Sequence, residues 1–81
     1  MNQLTHDATG ALVLQLLTAI RAAPGATAGE LARKIGAENR HPVAAALPEI
    51  EHASGLIERG LPRVCEVSRT RMLTWHPVWR Q

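Results

Sequence analysis

Apolar positions in the first two thirds of the chain recur every three or four residues, the spacing that lines one face of a helix. Leu12, Val13, Leu16, Leu17 and Ile20 form the first such stripe. It predicts a helix over 6–23, capped by Thr5 or Asp7 and stopped by Pro24-Gly25. Leu31, Ala32 and Ile35 form the second, with Arg33 and Lys34 turned to water. Thr27-Ala28-Gly29-Glu30 before it reads as a capping box, and Gly36 after it as a stop, so a helix is predicted over 28–36. Val43, Leu47, Ile50 and Ala53 form the third, with Asn39 or His41 as cap, Pro42 in the first turn and Ser54-Gly55 at the end; this predicts a helix over 42–54.

Beyond Gly55 the pattern changes. Leu56-Ile57-Glu58-Arg59 is a short apolar-to-charged segment, and Gly60-Leu61-Pro62 reads as a turn or bend. Arg63–Val67 and Met72–Trp75 are rich in strand formers and flank Ser68–Arg71, a loop of hairpin length, so a hairpin is predicted over 62–76. One α+β domain filling residues 1–81 is the expected organisation. Its expected core is Leu16, Leu17, Ile20, Leu31, Ile35, Val43, Leu47, Ile50 and Leu56. With two tryptophans and no other aromatic residue, that core must be mostly aliphatic, and Trp75 and Trp79 are expected to pack the hairpin and tail onto the first helix.

The order of these elements, with "PGATAGELARKIG" (Pro24 to Gly36), "VAAALPEIEHASGLIERG" (Val43 to Gly60) and "RVCEVSRTRMLTW" (Arg63 to Trp75), resembles the winged helix-turn-helix domains of bacterial and phage transcriptional regulators. Gly55-Leu56-Ile57 match that family's junction between recognition helix and wing. The resemblance implies a three-helix bundle followed by a β-hairpin wing, with duplex DNA as partner. It implies that the third helix enters the major groove with Arg40 and His41 at its leading end and Ala44 and Ala45 along its outward side. Arg69 and Arg71 would meet the DNA backbone or minor groove from the hairpin loop, and Arg63 would add a phosphate contact.

Charge distribution favours the same end of the chain. The net charge is only +2, but Arg59, Arg63, Arg69, Arg71 and Arg80 fall in the last third, against Glu58 and Glu66. The outward side of the third helix is less typical of a reader. Ala44, Ala45 and Pro48 cannot make the paired hydrogen bonds that distinguish bases, and Pro48 predicts a bend or break after Ala44. Glu49 and Glu51 would repel phosphates if they faced DNA. Such a small apolar face also suits a protein, so a protein-interaction module on the same scaffold is the second reading. A homodimer is the expected assembly for DNA, because one small module buries little surface.

Other chemistry is sparse. His6, His41, His52 and His76 lack metal-ligand spacing, so no metal site or cofactor is expected. Single Cys65 cannot form an internal disulfide, which favours a reducing, cytoplasmic setting, and it reads as a small core residue. The first ten residues carry no signal-peptide pattern, and Ala11–Ile20 is too short to span a bilayer. Phosphate loop, nucleophile elbow and carboxylate pair are all missing from the pattern, and no enzyme activity is expected.

Overall fold

The computed structural model describes residues 2–78, with side-chain environments from Gly10 onward. Helix α1 spans Asn2–Ala22, starting four residues before the expected span. Pro24 and Gly25, the latter at φ 88°, turn the chain, and the Gly25 N–H donates to the Trp75 carbonyl at 2.8 Å. Strand β1, Ala26–Thr27, follows at once. At two residues it is too short to leave a periodic signal, and the sequence did not predict it.

Helix α2, Ala28–Ile35, obeys every local rule for a helix. The Thr27 hydroxyl accepts from the Glu30 N–H at 3.3 Å, and the Glu30 carboxylate accepts from the Thr27 N–H at 3.2 Å. At the other end Gly36 is left-handed at φ 77°. Its N–H donates to Arg33, and the Ala37 N–H donates to Ala32, which closes a Schellman motif.

Helix α3 spans His41–Ser54. Its cap position is Arg40, whose side chain caps nothing; instead Asn39 Oδ1 accepts from the His41 N–H at 2.9 Å. Of the bend or break expected between Ala44 and Pro48, the break does not occur, and the helix runs on through the proline. Pro48 still cannot donate to the Ala44 carbonyl. Buried Val43, Leu47 and Ile50 hold the helix on both sides of that gap.

Strands β2 (Ile57–Val64) and β3 (Arg71–Pro77) form the hairpin. The sheet is antiparallel in the order β1-β3-β2. The hairpin corrects the expectation at both ends of β2. The strand begins at Ile57, and Gly60-Leu61-Pro62 lie inside it as a bulge rather than before it as a turn. Gly60 pairs with Thr74 and Arg63 with Met72, so two residues of β2 oppose Leu73 alone. Pro62 has no ladder donor to lose there. Gly60 is required because a Cβ would lie 2.5 Å from His76 Nε2 and 2.6 Å from Thr74 Oγ1. The Thr74 hydroxyl spans the bulge, donating to the Leu61 carbonyl at 3.0 Å.

The turn itself runs from Cys65 to Thr70, so Arg71 belongs to β3 rather than to the loop, and Cys65 to Val67 lie past the strand. The core is Leu16, Ala19, Ile20, Ala26, Ala28, Leu31, Ala32, Val43, Leu47, Ile50, Ile57 and Trp75. Leu17 and Ile35 are half-buried against it. Ile57 takes the place expected for Leu56, which is half-buried, because the strand starting at Ile57 turns that side chain inward. Trp79 lies outside the described residues.

Candidate nucleic-acid interface

Two arginines of β2 are tied into the fold. Arg59 forms an ion pair with Glu51 of α3, Nη2 to Oε1 at 2.7 Å, and its guanidinium lies 5.5 Å from the centre of the Trp75 ring. Arg63 grips Glu30 with both nitrogens, Nη1 to Oε2 at 2.9 Å and Nη2 to Oε1 at 2.5 Å, and also donates to the Gly25 carbonyl at 2.9 Å. The Glu66 N–H donates to the same carboxylate at 3.0 Å. Arg63, expected at a phosphate, thus has its guanidinium spent on holding the hairpin against the start of α2.

Glu30 is the hub that sequence reasoning only half identified. The capping box marks its bond to Thr27, but the bonds to Arg63 and Glu66 join it to residues 33 and 36 positions away. No local pattern announces them. The Arg63 guanidinium, working against burial and helped by the N–H groups of Glu66 and Thr27, holds the Glu30 carboxyl down at about 2.

Cys65 completes this junction. Its thiol is fully buried, accepts from the Thr27 hydroxyl at 2.9 Å and from the Ser68 N–H at 3.4 Å, and lies over Gly29. A Cβ at Gly29 would stand 2.9 Å from the sulfur, so only glycine allows the hairpin turn to dock there. Burial pushes the thiol up, but hydrogen bonds from Ser68 and Thr27 outweigh it and bring it to about 7.

Of the remaining predicted contacts, Arg40, His41, Ala45, Arg69 and Arg71 are exposed and Ala44 is not. Arg40 and His41 are exposed at the start of α3. They line a concavity of about 460 Å³ together with Arg33, Glu38, Asn39 and Val67 of the hairpin turn. Arg33, read from sequence as a merely solvated charge, therefore joins Arg40 and His41, because α2 and α3 meet at a tight turn. Arg69 is exposed in the same hairpin turn, in the left-handed region at φ 65°, and its N–H donates to the Cys65 carbonyl at 2.8 Å. Neither Arg33, Arg40, Arg69 nor Arg71 makes an ion pair among the described residues.

The outward side of α3 divides. Ala45 and Pro48 are exposed, whereas Ala44 is half-buried and faces a cleft between α3 and β3. Arg71 stands at that cleft, opposite Val64 in the hairpin register. Glu49 is exposed on the helix, and Glu51 is occupied by Arg59.

Among the described residues, no three His, Cys, Asp or Glu side chains are grouped to hold a metal, and no helix is long and apolar enough to cross a membrane. Compared with protein-family models, with curated proteins and with solved structures, the chain matches none.

Proposed function

We propose that this chain is a winged helix-turn-helix domain that binds duplex DNA, as a transcriptional regulator of the bacterial or phage kind. The observation that carries this reading is the shared concavity of Arg33, Arg40 and His41 beside the hairpin turn that displays Arg69. Arginines from α2, the cap of α3 and the hairpin make no ion pair there, although Glu38 shares the concavity, and a phosphate backbone would run past them. Arg40 and His41 lead α3 into the major groove, Ala45 meets it with a methyl group, and Arg69 and Arg71 hold the flanking backbone. Contacts of this kind position a protein more than they read sequence. Affinity for mixed duplexes should therefore be close to that for any single site, unless two copies bind adjacent half-sites as a homodimer.

Fluorescence anisotropy on a labelled mixed-sequence duplex tests the proposal. With Arg33, Arg40, Arg69 and Arg71 on phosphates, the log–log dependence of affinity on salt should have a slope of about −3.6. That slope weakens binding about a hundredfold between roughly 50 and 200 mM salt. Binding that is absent at low salt, or indifferent to it, would favour the second reading, a protein-interaction module. Exposed Ala45 and Pro48 on α3 are the observation behind that alternative.

A further inference from the structure

The cleft between α3 and β3 has a composition that phosphate binding does not explain. Ala28 and Trp75 form its floor, Ala44 and Pro48 one wall, and Leu73 and Arg71 the other, around about 270 Å³. Trp75 and Ala28 are buried, so the floor is already packed and fixed before anything binds. Arg71 makes no ion pair among the described residues. The cleft thus combines an apolar floor and a cation without an ion pair.

The apolar surface continues past the cleft along the hairpin. Val64 is the register partner of Arg71 and shares its face, and Leu73 lies two residues along the same strand on that face. Val64 is 53% exposed and Leu73 36%. Leu61, thrown out by the bulge opposite Leu73, is 85% exposed. Val64 and Leu73 on the face of Arg71, with Leu61 bare at the bulge, leave apolar surface that a phosphate on the arginine would not cover. They match a polypeptide that brings apolar side chains and a carboxylate. The cleft volume falls just below the usual range for enclosed small-molecule pockets, whereas a peptide side chain needs less.

We infer that the α3–β3 cleft docks an acidic, apolar peptide segment of a partner protein, with one apolar side chain over Trp75 and a carboxylate on Arg71. Arg71 is shared with the phosphate contacts proposed above, so peptide and duplex compete for it, whereas Arg33, Arg40, His41 and Arg69 lie outside the cleft.

The probe is a fluorescein-labelled Leu-Asp-Leu-Leu peptide with glycine–serine flanks, titrated by the full chain, alongside the labelled mixed duplex. Saturable peptide binding is expected, with a shift of the Trp75 indole NMR signal. Arg71→Glu should weaken it about tenfold or more, as should asparagine in place of the probe's aspartate. Leu73→Ser should weaken it several-fold; both variants change exposed side chains, and unchanged thermal melts confirm their fold. Arg40→Ala with Arg69→Ala should leave peptide binding intact whatever it does to the duplex. The inference is overturned by a probe that does not bind saturably, or that binds wild type, Arg71→Glu and Leu73→Ser alike. It is equally overturned if Arg71→Glu weakens duplex binding alone, because the arginine then belongs to the nucleic-acid surface.

Discussion

Helices α2 and α3 meet at one turn but are built on opposite terms. In the eight residues of α2, both ends are closed by side chains and glycine geometry that the local sequence prescribes. The fourteen residues of α3 start with a cap position that makes no side-chain bond and carry a proline in the middle. Tertiary packing holds α3, and local chemistry holds α2. A helix held by packing can change its outward residues without losing its place, which suits an element that meets a partner. A helix held by its own caps suits an anchor, and the hairpin is fastened to that anchor through Glu30, Arg63 and Cys65.

The contrast is broken most severely from the core. Leu47 is fully buried on α3, one residue before Pro48. Leu47→Ala should cost about 2–5 kcal/mol, enough to unfold much of a domain this small, as followed by circular dichroism on heating. A loss under 1 kcal/mol would mean that the helix does not depend on packing.

The anchor is tested at Glu30. Glu30→Ala removes a cap partner and the Arg63 ion pair together, and a loss of about 2 kcal/mol is expected after allowing for the half-exposed guanidinium. The acid limb of stability carries the same signature. Because folding lowers the Glu30 carboxyl from the ordinary 4.5 to about 2, its contribution is present above pH 4.5 and is lost as pH falls towards 2. Urea midpoints across that range should fall less steeply for Glu30→Gln than for wild type.

How far these features could be read in the sequence follows the same division. Features set by neighbours in the chain were legible: the α2 cap, the glycine stops and the apolar stripes of all three helices. The hairpin was legible as a hairpin. Its bulge was not, since Gly60-Leu61-Pro62 has the composition of a turn and only the pairing with β3 makes it strand. Strand β1 exists only because Trp75 and Thr74 lie beside it. At the candidate site, the exposure of Arg40, His41, Ala45 and Arg69 followed from helix and turn positions. The capture of Arg63 by Glu30 and the turning of Ala44 into the cleft depend on how the hairpin docks, and no spacing along the chain encodes that.

A smaller effect sharpens the comparison. Pro48→Ala restores a donor for the Ala44 carbonyl and should raise stability by about 1–2 kcal/mol, less than the full helix-propensity difference because the unfolded chain also gains freedom. A fall in melting temperature would mean that the proline stabilises α3 through contacts of its own. Thr27→Ala should cost about 1 kcal/mol through the lost cap.

The central claim is that the arginines divide into two that fasten the hairpin, Arg59 to α3 and Arg63 to α2, and others left free for phosphate. Salt titrations of mixed-duplex binding by wild type, Arg40→Ala/Arg69→Ala and Arg63→Ala test it directly. The double variant should keep its melting temperature and lose about two units of salt slope, while Arg63→Ala should melt lower and leave the slope nearly unchanged. A double variant with wild-type slope, or an Arg63→Ala protein that melts like wild type and loses a full unit of slope, would contradict the account.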